Sequence, residues 1–253
     1  MNDEELLRYA RQLMMPEIEV AGQEKLLAAR VLIVGMGGLG CPAAMYLAAA
    51  GVGHLVIADY DTVELSNLQR QIAHGTGDID RLKVDSAKDT LLELNPGIKV
   101  TPISQRLEPE ILATEVGAAD LVIDGTDNFE ARFAINEQCV KSRTRLVSGA
   151  AIRLEGQLMV YDPGQSDAPC YRCLYQEGSD DELNCAVNGI AAPVVGTIGT
   201  LQAMEALKLI AGFGTSLAGY LLVFDAANME WRKLKLPRNP DCPTCGKNHS
   251  ATA

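Results

Sequence analysis

The sequence predicts an α/β fold in which a mostly parallel sheet, with helices on both faces, is continued by antiparallel strands. Three observations predict it. Short apolar runs that suit buried strands alternate with helix-forming stretches over residues 31–150. The first of these runs ends in a glycine-rich turn that opens a helix. After residue 150 the alternation gives way to strand-like runs of antiparallel or mixed-sheet character.

Taken in order, residues 4–15 carry Leu6, Tyr9, Leu13 and Met14 at helical spacing with charges between them, and residues 23–29 read as a second short helix. Val31-Leu32-Ile33-Val34 is a continuous apolar run and therefore a buried strand. It stops at Gly35-Met36-Gly37-Gly38-Leu39-Gly40, after which residues 43–50 are helix-forming. A second strand at 55–58 ends at Asp59, and further strands are expected at 98–103, 121–123 and 145–147. Helices at 83–94, 108–116 and 130–141 lie between them, the order of a Rossmann-like parallel sheet. Beyond residue 150, strands are expected at 156–161, 220–224 and 230–236, with a helix at 197–211 that puts Met204, Leu207 and Lys208 on successive turns. Segments 164–192 and 237–253 have little periodicity and read as loop or tail. No linker or repeat divides the chain, so one domain over 1–253 is expected: N-terminal helices (1–30), a nucleotide-binding half (31–150) and a second half (151–253).

Composition excludes several classes. With 22 Lys plus Arg against 33 Asp plus Glu, the net charge is −11, which argues against a nucleic-acid partner. A chain 47% hydrophobic and 22% charged is globular, neither disordered nor fibrous. It has no apolar run of membrane-spanning length, and its charged start, MNDEELLRYARQ, is no signal peptide, so a soluble cytoplasmic protein with no membrane association is expected. Seven cysteines, an odd number in a reducing compartment, point to metal or catalysis over disulfides.

Gly35, Gly37 and Gly40 fit G-x-G-x-x-G between a strand and a helix, with Asp59 ending the next strand. Glycine lets backbone N–H groups approach a phosphate at a helix N-terminus, and the carboxylate can accept from ribose hydroxyls. The alternative is a tight turn without a ligand, and the motif does not separate a dinucleotide from ATP. Cys41-Pro42 stand where a phosphate loop needs Lys and Ser/Thr, so cations must come from elsewhere. Arg70, in Ser66-Asn67-Leu68-Gln69-Arg70-Gln71, and Lys83 could supply them, although each alone could be a solvated surface cation. Asp127 and Asn128 follow the strand at 121–123 at the ligand-binding edge of such sheets. Asp127 suits a magnesium ion and Asn128 a polar contact to the nucleotide, or Asp127 merely caps the next helix. Arg8 and Arg11 share one helical face, by default a solvated one.

Cys170-x-x-Cys173 and Cys242-x-x-Cys245 together supply the four thiolates of a closed structural zinc site, which would staple the tail at 237–247 onto the loop near 170. A redox role is the competitor, but neither pair opens a thioredoxin-like helix. Cys41 and Cys139 suit packing. Cys185, in the acidic run Asp180-Asp181-Glu182-Leu183-Asn184, has no packing role, and its neighbours would blunt a thiolate. No His/Ser/Asp or metal–His set can be built from spacing. The residues alone leave open a nicotinamide oxidoreductase and a zinc-stabilised scaffold.

Arg8-Tyr9-x-Arg11-Gln12, the glycine turn, Asp59-x-Asp61, Ser66 to Gln71, Thr126-Asp127-Asn128 and the two C-x-x-C pairs together resemble the bacterial ubiquitin-activating-enzyme superfamily. The likeness is to its molybdopterin-synthase and thiamine-thiazole adenylyltransferases. It extends over nearly the whole chain, including residues 146–156 and 199–208. The resemblance implies an enzyme that uses ATP and Mg²⁺ to adenylate the C-terminal glycine carboxylate of a ubiquitin-like sulfur carrier ending in Gly-Gly, releasing pyrophosphate. It implies nucleotide contacts at Gly38, Asp59, Asn128 and the Ser66, Asn67, Leu68, Gln69 and Arg70 run, with Asn67, Arg70 and Lys83 near the phosphates. It further implies magnesium at Asp127, and Arg11 inserted into the other subunit of a homodimer, against the solvated-face reading. Cys170, Cys173, Cys242 and Cys245 match zinc ligands, and Cys185 aligns with a sulfur-transfer cysteine of the thiazole branch. No rhodanese-like domain is recognised, so an external persulfide donor is expected.

Overall fold

The computed structural model describes residues 1–175 and 189–246. Strands β1 (Arg30–Val34), β2 (His54–Ala58), β3 (Lys99–Ile103), β4 (Leu121–Asp124) and β5 (Arg145–Ile152) run parallel. Strands β6 (Glu155–Tyr161), β7 (Tyr220–Asp225) and β8 (Glu230–Lys235) continue the same sheet antiparallel. The spatial order is β3-β2-β1-β4-β5-β6-β7-β8. Among the described residues the α-helices are α1 (Asp3–Arg8), α2 (Ala10–Leu13), α3 (Glu19–Ala28), α4 (Gly40–Ala49), α5 (Lys83–Leu94), α6 (Pro109–Gly117), α7 (Phe129–Ser142), α8 (Tyr171–Leu174) and α9 (Ala192–Ala211).

The two faces of the sheet explain why its first strands read as unbroken apolar runs. Val31, Ile33, Leu55, Ile57, Leu121 and Ile123 point to one face, against residues of α3, α4, α5 and α9. Leu32, Val56, Val122 and Leu146 point to the other, against α6 and α7. A parallel strand covered on both sides has no solvent face to make polar. Each fully buried Leu or Ile stabilises the fold by about 1.5–3 kcal/mol relative to an exposed one.

Several elements differ from the expected bounds for identifiable reasons. The helix expected at 4–15 breaks at Tyr9, whose ring is buried and whose hydroxyl accepts from Asn95 Nδ2 at 2.9 Å. Helices α4 and α9 start at Gly40 and Ala192, earlier than expected, and include Pro42 and Pro193 in their first turns. Proline fits there because first-turn N–H groups have no helical acceptor. Strand β5 continues to Ile152 because β6 pairs with it as far as Ile152–Glu155. Segment 164–192 holds the short helix α8 and a bridge from Ile190 to Arg153.

Helix α9 is the one described helix long and apolar enough to cross a membrane. It packs against α3, α4, β5 and β6, and its buried Gln202 donates Nε2 to the carbonyl oxygens of Asp124 (2.7 Å) and Val147 (3.2 Å). It is a core helix that bonds to the sheet.

The strand order reverses between β1 and β4, since β1 leads outward to β2 while β4 leads to β5. Crossover helices then leave on opposite faces and open a crevice at the carboxyl ends of these strands.

Candidate active site

The crevice is built from two turns packed backbone against backbone. Gly35 follows β1 with φ +91°, and a Cβ there would lie 2.8 Å from the Gly125 carbonyl oxygen. A Cβ on Gly40 would lie 1.8 Å from the Gly35 oxygen. Only glycine permits this approach. Between them Met36 is held at both of its backbone groups. Its N–H donates to Asp59 Oδ2 at 2.8 Å, and its carbonyl accepts from His74 Nε2 at 3.1 Å and from the Cys41 thiol at 3.3 Å. Because that carbonyl can only accept, Nε2 carries the His74 proton and Nδ1 accepts from Ser86 Oγ at 2.9 Å. Burial lowers the His74 pKa, consistent with a neutral ring that locks the turn.

Asp59 directly follows β2 and also accepts from the Asp61 N–H at 2.9 Å. Burial pushes its carboxyl above the usual range, against the opposing pull of Lys83 and the two N–H bonds. Lys83, at the start of α5, is buried and meets Asp61 Oδ2 at 2.8 Å. Arg70 is braced by the Ser66 carbonyl at 3.1 Å.

Gly38, Asp59, Arg70, Lys83, Asp127 and Asn128 all line one cleft of about 750 Å³. Ser66, Asn67, Leu68 and Gln69 do not line it; they form the turn, tightened at Leu65–Asn67, that leads into Arg70. Arg11 is also absent from the lining, and its side chain reaches Met14 Sδ at 3.9 Å. Cys185 lies outside the described residues.

The turn after β4 settles which residue caps α7. Asn128, in extended conformation, accepts the Ala131 N–H at 2.8 Å and is the N-cap. Asp127 is exposed and makes no hydrogen bond among the described residues, which leaves its carboxylate available at the cleft. Asp124 is buried and satisfied by the Thr126 N–H (3.0 Å), the Thr126 hydroxyl (2.7 Å) and the Ser148 hydroxyl (2.7 Å). Sequence reasoning missed two residues here, His74 and Arg132. Arg132 lines the cleft and donates to the Thr126 carbonyl at 2.6 Å. Its signal was the i, i+4 spacing from Asn128, which places it one turn into the helix.

The four cysteines of the C-x-x-C pairs converge. Cys170 and Cys242 sulfurs are 3.6 Å apart, Cys173 and Cys245 3.4 Å, and all four lie within 4.8 Å of one another. Thiolates at Zn–S of about 2.3 Å on a tetrahedron stand roughly 3.8 Å apart, so the set fits a tetrahedral metal. The Asn239 N–H at 3.4 Å and Asn136 Nδ2 at 3.7 Å donate to Cys173 and Cys170 sulfurs, the outer contacts that orient metal thiolates.

Fold and site together define an α/β protein of the nucleotide-binding type, with a glycine turn at the carboxyl edge of the sheet and a four-cysteine metal-type cluster. The ThiF family matches residues 9–244, and the chain belongs to that family. It is 47% identical over 247 residues to a molybdopterin-synthase adenylyltransferase of Escherichia coli K12, covering 98% of this chain and 99% of that one. It is 49% identical over 250 residues to the sulfur carrier protein ThiS adenylyltransferase of the same strain, covering 99% of each. Among solved structures, E. coli MccB with ATP superposes with a TM-score of 0.78 at 25% identity, covering 89% of this chain and 69% of that chain.

Proposed function

We propose that the protein adenylates the C-terminal glycine carboxylate of a ubiquitin-like sulfur carrier with ATP and releases pyrophosphate, in molybdopterin biosynthesis. The observation that carries this reading is near full-length identity to two carrier-protein adenylyltransferases. The slightly higher identity to the ThiS enzyme favours, as the second reading, the same reaction on the thiamine-thiazole carrier.

The nucleophile is a carboxylate already ionised at pH 7, so the reaction needs no general base. Its difficulty is the approach of an anion to the α-phosphate, and the remedy is positioning plus positive charge. The glycine turn and Asp59 seat the nucleotide, and Ser66 to Gln69, outside the cleft lining, form the turn that carries Arg70 to the phosphates. Arg70 and Lys83 offset the charge of the triphosphate and of the attacked phosphorus. Asp127 is the carboxylate suited to hold Mg²⁺, which when bound neutralises phosphate charge. Arg11 comes from the partner of a homodimer. The exposed Leu7, Met14, Met15 and Val20 around it supply apolar surface for that contact. Zn²⁺ is the metal for the cysteine set. The whole of 1–253 acts as one adenylation domain in the cytoplasm, with carrier binding and the zinc site in 151–253. Sulfur comes from a separate persulfide donor, and the net charge of −11 supports neither nucleic acid nor anionic membrane as partner.

The test is exchange of labelled pyrophosphate into ATP with each carrier in turn. Exchange with the molybdopterin carrier alone is expected; exchange with the thiazole carrier alone selects the second reading, and exchange with neither overturns both. Arg70→Ala and Asp127→Ala should each lose roughly 10²-fold or more.

A further inference from the structure

Asp127 is held in place from both sides. On one side Asp124 grips the N–H and hydroxyl of Thr126, and on the other Asn128 caps α7. The Thr126 carbonyl is gripped at 2.6 Å by Nη2 of Arg132, a residue that is 3% exposed. Arg132 Nη1 in turn reaches the Tyr171 hydroxyl at 3.4 Å, and its Nε is buried with no partner among the described residues. One turn along the same face of α7, Asn136 accepts the Tyr171 N–H at 2.8 Å and donates to the Cys170 sulfur. Tyr171 is itself buried between the first pair of clustered cysteines. One face of α7 therefore bonds at one end to the turn that presents Asp127 and at the other to the cysteine knuckle. Burial works against the Arg132 charge, but Asp124, Tyr171 and Asp127 outweigh it, so the guanidinium stays charged.

We propose that Arg132 is a positioning residue for adenylation: through the Thr126 carbonyl it sets the turn that presents Asp127, and it takes its own place from Tyr171 in the cysteine knuckle. The proposal rests on the reading of Asp127 given above. It differs from a purely structural role in what its loss should change. A misplaced Asp127 weakens the use of magnesium, whereas Asp59 and the glycine turn still hold the nucleotide.

Wild type, Arg132→Met, Arg132→Lys and Tyr171→Phe are compared in carrier-dependent pyrophosphate exchange at saturating ATP, and in calorimetric ATP binding without carrier at graded Mg²⁺. Tyr171→Phe removes only a hydroxyl and guards against an Arg132 variant that fails to fold. The expected result is a fall in kcat of about tenfold or more for Arg132→Met, partly rescued in Arg132→Lys and smaller in Tyr171→Phe. ATP affinity without magnesium stays within about twofold, while more Mg²⁺ is needed for half-maximal exchange and for tight ATP binding. Folded variants with wild-type kcat and magnesium requirement overturn the proposal. So does a loss of ATP affinity with an unchanged magnesium requirement. Absence of exchange in wild type defeats the adenylation reading instead, and the magnesium dependence of ATP binding then decides the role of Arg132.

Discussion

Cys41 and Cys139 are thiols silenced by burial. Cys41 is wholly enclosed under the glycine turn, and its pKa is pushed up to about 12. Cys139 faces the second core from α7, and burial pushes its pKa upward too. At pH 8 a group of pKa 12 is about 10⁻⁴ thiolate, against roughly a quarter for an ordinary cysteine. Iodoacetamide at pH 8 should therefore leave both unmodified in native protein and alkylate both in guanidinium, read by peptide mass spectrometry. Alkylation of either in the native state contradicts its placement as a packing residue. Asp59, the glycine turn and the cysteine pairs were legible in the sequence because each is marked by local spacing. The bonds of His74 to Met36 and of Arg132 to Tyr171 were not, because they join residues 38 and 39 apart and no short motif records the pairing; for Arg132 only its spacing from Asn128 gave a local signal.

At the scale of elements, the strands were legible because burial on both faces leaves a continuous apolar signature, while helix starts were obscured by Pro42 and Pro193. The start of α7 was ambiguous for a different reason: Asp and Asn both cap well, so adjacent Asp127 and Asn128 could exchange roles. Geometry assigns the cap to Asn128. Asn128→Ala should then cost about 1 kcal/mol in urea unfolding, whereas Asn128→Ser should restore most of it. Asp127→Ala should leave stability near wild type while impairing exchange. A destabilisation by Asp127→Ala equal to that of Asn128→Ala would return the cap to Asp127.

At the scale of the whole molecule, zinc at the cysteine set would hold the tail after β8 by ligation where the parallel half is held by packing. Cys242 and Cys245 join the core on the α6 and α7 face, while the larger core on the opposite face contains neither pair. Structural zinc contributes on the order of 10 kcal/mol to small sites, comparable to the stability of an entire domain. Its loss should therefore release the tail and the knuckle at 170–173 without melting the far side of the sheet. Metal analysis should find about one zinc per chain, abolished in the Cys242→Ser and Cys245→Ser double variant. Limited proteolysis of that variant should cut near residues 237–246, while amide exchange in β1, β2 and β4 stays protected. Stoichiometric zinc in the double variant would refute the ligand set. Loss of protection in β1 and β2 along with the metal would instead make the staple part of one cooperative unit with the nucleotide-binding sheet.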